Sequence, residues 1–256
     1  MARIRITDRD RAALEFVSEH RLVLAAHVQA LLGVSAAVAG ARLRALSAAG
    51  LLVCDQIFHA RPGCYRITAK GLGLVGSDLP RAAIDLRCYD HDVGVAWLWL
   101  AARNGAFGEL RQVLSERRLR SHDGGQDGRA DPLGVRLGGV GPGGGVRLHY
   151  PDLMLTDTGG HRIALELELS GKGRTRLEGI LGGYAVDARV DAVVYLTDDR
   201  QVAHRVRAAA RKLGISSLVR VAPVSFGAAG RPSTGRASAR IRGGGRAGER
   251  SGQRTR

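Results

Sequence analysis

The sequence predicts an α+β protein made of two folded parts and a basic tail. Residues 4–78 read as three helices followed by two β-rich runs, and residues 146–226 alternate strand-like and helical segments. Hydrophobic periodicity stops after Phe226. A length of 256 residues is ample for two domains, and 45 % hydrophobic with 25 % charged residues excludes a wholly disordered chain. The expected divisions are 1–78, 79–226 with a glycine-rich loop at 123–145, and a disordered tail at 227–256.

Thr7 is placed to cap a helix running to His20, with Ala12, Ala13, Phe16 and Val17 at helical spacing. A second helix covers about 24–32 and stops at Gly33. Ser35 caps a third over about 36–49, closed by Gly50 in the position after the C-cap that favours glycine. Runs 51–58 and 64–68 flank the turn Ala60-Arg61-Pro62-Gly63 and make a hairpin. That order is a winged helix-turn-helix. Ala39, Leu43 and Leu46 take the core side of the third helix, leaving Ala37, Gly40, Ala41, Arg44 and Ser47 on the other. Small side chains there let a helix approach a groove of double-stranded DNA, with Arg44 reaching base edges or phosphate. Arg42 on the flank and Arg61 at the wing tip suit phosphate contacts. An Ala-rich helix also packs against other proteins, so a protein partner stays open, as does a homodimer.

A long helix is predicted over Asp85–Arg103, with an apolar middle from Val93 to Leu100. Asp90-His91-Asp92 at its start read as residues that suit a helix N-terminus, because adjacent positions point to different faces and make poor co-ligands. Trp97 and Trp99 read as packing residues. A further helix over Gly108–Arg120 would carry Glu116.

The segment richest in chemistry runs from His149 to Leu169. Two strand-like runs flank Gly159-Gly160, so a second hairpin is expected, and centring its turn on Gly159 sets Asp152 opposite Glu166. Side chains alternate along a strand, so Glu168 shares the face of Glu166 while Leu165, Leu167 and Leu169 take the other. Three carboxylates on one face repel one another and are costly to bury unpaired. A divalent cation such as Mg²⁺ would offset them. The loop Ser170-Gly171-Lys172-Gly173-Arg174-Thr175-Arg176 leads into a helix to about 188, and its basic groups suit a phosphodiester. A buried strand at 191–197, an amphipathic helix at 201–213 and a strand at 217–224 complete an α/β unit with a mixed sheet.

Pro151-Asp152, a turn, and Glu166-Leu167-Glu168 resemble the PD-(D/E)xK nuclease motif. With the N-terminal winged helix, Ser115-Glu116-Arg117, PDLMLTD, ELELSGK and RLEGILGGY, the chain resembles the replication-relaxation family of actinobacterial plasmids and integrated mobile elements over about residues 7–224. The resemblance implies a restriction-endonuclease-like second domain, with Asp152 and Glu166 as metal ligands and Glu116 as a third. It implies a catalytic set of Asp152, Glu166, Glu168 and Lys172. The nuclease pattern expects Lys where this chain has Glu168, a variant that some active nucleases share, and Lys172 is the nearest replacement for the missing charge. Two readings therefore stand: a DNA-binding protein that cleaves DNA with Mg²⁺, and a non-enzymatic accessory or regulator with a degenerate nuclease fold. A third is an adaptor in a relaxosome-like complex that docks through Trp97, Trp99 and the α/β sheet.

With 39 Lys+Arg against 24 Asp+Glu, the formal charge is +15, and eight Arg against one Glu in 227–256 place +7 of it in the tail. That balance points to polyanions, nucleic acid first. Cys54, Cys64 and Cys88 lack metal-ligand spacing and leave one thiol unpaired, which suits a reducing cytoplasm. No apolar run approaches the roughly 18 residues of a membrane span, and none follows the basic start as in a signal peptide. Glycines 138–145 lack the Lys-Ser/Thr ending of a phosphate-binding loop, and no Ser or Cys stands in a nucleophile context.

Overall fold

The computed structural model describes residues 5–125, 131–141, 144–226 and 232–233. Helix α1 (Asp8–Glu19) begins in a reciprocal cap: the Thr7 hydroxyl accepts from the Asp10 amide, and Asp10 accepts from the Thr7 amide at 2.7 Å. After β1 (Val23–Leu24), helix α2 (Ala25–Leu32) ends at Gly33, whose φ of +63° is the left-handed turn that glycine adopts without strain. Two residues later Ser35 caps α3 (Ala36–Ala48), which leaves α2 at 113°. Ala39, Leu43 and Leu46 are its buried residues, as their spacing required. Strands β2 (Leu52–Asp55) and β3 (Cys64–Ile67) pair antiparallel, and β1 joins the far side of β3 to give the order β1-β3-β2. A short helix α4 (Ala69–Val75), capped by Thr68, packs back on α1 and β3.

Helix α5 (Tyr89–Arg103) links the two parts. Its Tyr89, Val93, Ala96, Trp97 and Leu100 join the core of α1–α4, while Leu98 and Ala102 join a second core against the following sheet. That sheet has the order β10-β9-β8-β7-β4, drawn from β4 (Leu110–Ser115), β7 (Leu153–Asp157), β8 (Arg162–Leu167), β9 (Ala192–Thr197) and β10 (Val219–Pro223). The neighbours β4, β7 and β8 pair antiparallel, whereas β8, β9 and β10 run parallel. The β7–β8 register pairs Leu153 with Leu165, as centring the turn on Gly159 requires. Helices α7 (Arg174–Val186) and α8 (Arg200–Lys212) cover the face opposite α5, over Met154, Ala164, Val193 and Tyr195. The molecule is thus α+β with a mixed sheet, and among the described residues no single helix is long and apolar enough to cross a membrane.

Two expectations fail in instructive ways, and a third falls almost wholly outside the described residues. The helix expected over Gly108–Arg120 is strand β4 followed by α6 (Glu116–Gly124). Leu110, Val113 and Leu114 mimic helical spacing, but Val113 pairs with Leu155, and Ser115 caps the helix by accepting from the Arg118 amide. The glycine-rich stretch 123–145 is not all loop. Strands β5 (Val135–Val140) and β6 (Val146–His149) form an antiparallel ribbon over α7, and Arg189 holds its base through Asp131, Pro132 O and Gly134 O. In the tail, β12 (Pro232–Ser233) pairs with β11 (Ser225–Phe226); the rest of 227–256 lies outside the described residues.

Gly71 and Gly73 of α4 give a paired test of packing. A Cβ at Gly71 would sit 2.4 Å from Leu51 O, whereas one at Gly73 meets nothing within 4 Å. Thermal melts are expected to show Gly71→Ala destabilised by about 1–3 kcal/mol. Gly73→Ala is expected to be stabilised by roughly 0.5–1 kcal/mol, the ordinary gain of alanine over glycine inside a helix.

Candidate functional site

The β7–β8 hairpin brings the acids together. Asp152 stands just before β7, where its Oδ2 accepts the Leu167 amide at 2.7 Å. Glu166 lies on β8 beside Tyr195 of β9, and the Glu168 amide donates to Leu196 O. Asp152, Glu166 and Glu168 are 9 %, 2 % and 5 % exposed, so solvent does not neutralise them.

Protein groups do. Glu166 Oε1 receives the Tyr184 hydroxyl at 2.6 Å and lies 2.6 Å from His149 Nε2. Glu168 pairs with Lys172. His91, at the first turn of α5, places Nε2 3.2 Å from Asp152 Oδ1, with Nδ1 3.7 Å from Asp92. Burial pushes the Asp152 carboxyl up, but the His91 charge, its hydrogen bond, the Leu167 amide and Lys172 outweigh it, so the group is held below its ordinary value. Burial lowers His91, yet Asp152 and then Asp92 drive it well above the ordinary 6.5. Burial, with Glu166 and Asp152 close by, leaves Glu168 raised despite Lys172. The cation that three clustered carboxylates demand is therefore supplied from within, by His91 and Lys172.

That arrangement bears on Mg²⁺. Among the described residues no three His, Cys, Asp or Glu side chains are grouped to hold a metal ion. Asp152 and Glu166 already accept from protein donors, and His91 stands on the Asp152 oxygen that a cation would take. Glu116 turns away: its carboxylate takes Arg21 at 2.9 Å and Arg120 at 2.8 Å, while its amide donates to Asp152 O. Between Asp152, His91, Asp92 and Glu116 lies a crevice of about 20 Å³, room for about one water. The residues as arranged do not fit the metal, and no chemical step is assigned to it.

The expected DNA contacts disperse. Arg42 pairs with the buried Asp10 and also bonds Arg5 O, so it ties α3 to α1 instead of facing outward. Ser47 Oγ is buried with no hydrogen-bond partner. Arg61 folds back on α5, paired with Asp90 and 5.3 Å from the Phe58 and Tyr89 ring centres. Among the described residues Arg44 alone of the four is exposed and free of an ion-pair partner, on a face with Ala37 and Ala41. Both tryptophans pack inward: Trp97 is 4 % exposed within the first core, and the half-buried Trp99 lies on Phe16 under Arg103.

Sequence reasoning missed Tyr184 as a polar partner, left His149 without a role and read His91 as a helix-start residue. Asp90-His91-Asp92 was the visible signal for His91, but only the docking of α5 onto the hairpin reveals its partner. Tyr184 stood at an apolar spacing that marks a core residue equally well.

Two measurements probe this balance. The Tyr195 hydroxyl is buried without a partner, whereas that of Tyr184 serves Glu166. Urea unfolding is expected to show Tyr195→Phe neutral or stabilised and Tyr184→Phe destabilised by about 1–3 kcal/mol. Folded His91 keeps its proton above pH 6.5 while the unfolded chain releases it, so the His91 contribution is full below 6.5 and declines as pH rises beyond it, whereas the Asp152 contribution is lost at acid pH as that carboxyl protonates. His91→Gln is expected to flatten that alkaline decline in unfolding free energy measured against pH.

No protein-family model matches the chain, and no curated protein matches it. A solved structure described as PigF with SAH is similar at 19 % identity, over 86 % of this chain and 57 % of that chain, with a TM-score of 0.21. The chain thus spans little more than half that protein's length, and the likeness assigns neither fold nor function to it.

Proposed function

We propose that the chain is a DNA-binding protein whose first part is a winged helix-turn-helix and whose second part is a nuclease-like unit that does not cleave. The observation that carries the reading is the α2–α3 pair: two helices at 113° joined by three residues, with an open face of small side chains and Arg44 on the second. Helices at about 90–120° across a short glycine-containing turn are the geometry that sets a recognition helix in a major groove. The +15 charge supports association with a polyanion. In the replication-relaxation reading the protein would act on plasmid or mobile-element DNA in the cytoplasm.

The hairpin, helix and strand of β7, β8, α7 and β9, with Asp152, Glu166 and Glu168 gathered at the hairpin, support the nuclease-like reading of the second part. Their internal neutralisation favours the non-enzymatic accessory over the Mg²⁺-dependent nuclease. Cleavage would require His91 to leave Asp152, which would bare a buried carboxylate at a cost of several kcal/mol unless a cation replaced it.

Fluorescence anisotropy on labelled duplex DNA tests binding. Wild type is expected to bind with an affinity that falls steeply with salt. Arg44→Glu is expected to weaken it about tenfold or more, roughly 1.4 kcal/mol. Salt-insensitive or undetectable binding would favour the protein adaptor. Supercoiled plasmid incubated with Mg²⁺ or Mn²⁺ is expected to stay intact; nicking that Asp152→Asn abolishes would restore the nuclease.

A further inference from the structure

Arginines gather where the two parts meet. A cleft of about 550 Å³ is lined by Arg21 just beyond α1, Arg81 in the link to α5, and Arg117 and Arg120 of α6, with Pro80 and Ser121. Among the described residues no acidic side chain lines it. Glu116 beside it is the only carboxylate that pairs with any of these four among the described residues, and it serves Arg21 and Arg120. Among the described residues Arg117 hydrogen-bonds the carbonyls of Ser18 and Pro80 and makes no ion pair, and Arg81 is exposed without a hydrogen-bond or ion-pair partner. Arg120 lies over Tyr150, its guanidinium 4.4 Å from the ring centre.

Among the described residues Glu116 is the one carboxylate ion-paired to these four guanidiniums, and with Glu19 acting on Arg117 and Asp92 on Arg21 a surplus of positive charge still remains in a concave place. Burial, followed by the Arg21 charge, pulls Arg117 below its ordinary value, as expected of a cation crowded by others. Converging guanidiniums present planar forks of donors that match phosphate oxygens, and an anion seated among them would relieve their mutual repulsion. Backbone carbonyls hold Arg117 in place, so part of the ordering entropy is met before any ligand arrives. Arg21 and Arg117 also line the crevice at Asp152, so the cleft leads to the carboxylate cluster.

We infer that this arginine cleft is a phosphate-binding site, occupied by the phosphodiester backbone of the DNA that the α2–α3 pair engages. The choice of occupant rests on the DNA-binding reading; the phosphate chemistry does not. A strand crossing the cleft would pass the junction of the two parts and fix their orientation on the duplex, a positioning contact without sequence information.

The experiment compares wild type, Arg81→Gln/Arg120→Gln and Arg81→Glu, the last altering only an exposed, partnerless residue. Anisotropy on duplex DNA is run across a salt series, and thermal melts are run with inorganic phosphate and pyrophosphate. The double variant is expected to lose about tenfold or more in DNA affinity, and its dependence of log K on log salt is expected to shallow by about two. Arg81→Glu is expected to lose affinity with an unchanged melting temperature. Should wild type bind no DNA while pyrophosphate raises its melting temperature and both variants lose that rise, the cleft stands as a site for small phosphates and the DNA reading falls. Variants equal to wild type in both assays would overturn the cleft, whatever Arg44→Glu shows.

Discussion

The structure turns on the burial of three carboxylates at one end of a hairpin. Asp152, Glu166 and Glu168 lie where water cannot screen them, and an unpaired charge there would cost several kcal/mol. Each must therefore find a partner in the fold, and the partners come from separate elements. His91 comes from α5, Tyr184 from α7, His149 from the end of β6 and Lys172 from the loop after β8. The sheet cannot bury its acids until these elements dock. Because α5 also belongs to the first core, the Asp152–His91 contact couples the two parts electrostatically as well as by packing.

The junction is reinforced by Ser115-Glu116-Arg117, the residues that carry part of the family resemblance. The Ser115 hydroxyl donates to Glu19 at 2.6 Å, Glu116 takes Arg21, and Arg117 reaches Ser18 O and Pro80 O. All three therefore clasp the segment around the end of α1. A triplet singled out in the sequence for its resemblance joins the two parts in this chain. The arginines divide in the same way: Arg42, Arg61, Arg118 and Arg189 are engaged by carboxylates, while Arg44 and Arg81 make no ion pair among the described residues.

Local chemistry made much of the fold legible. Thr7 and Ser35 announced helix starts, Gly33 and Gly50 announced their ends, and a Gly-Gly turn announced the register of β7 with β8. These features act within a few residues of themselves, so their effect survives whatever packs around them. Strand β4 defeated the same reasoning because Leu110, Val113 and Leu114 satisfy a helical period, and only pairing with β7 makes the segment extended. The β5–β6 ribbon escaped for a related reason. Its glycines favour no regular structure, and contact with α7 supplies the order.

The sequence by itself determined the three helices and hairpin of the first part, the face of α3 that enters the core, and the convergence of Asp152, Glu166 and Glu168. Each follows from capping, periodicity or turn symmetry, which are short-range constraints. What neutralises those acids was decided by the tertiary structure alone. His91 and Asp152 are 61 residues apart in sequence, and no local pattern encodes their meeting at 3.2 Å. The same holds for Arg42, whose flank position suited phosphate until packing set it against Asp10. Composition counts charges, whereas the folded chain decides which of them remain unanswered.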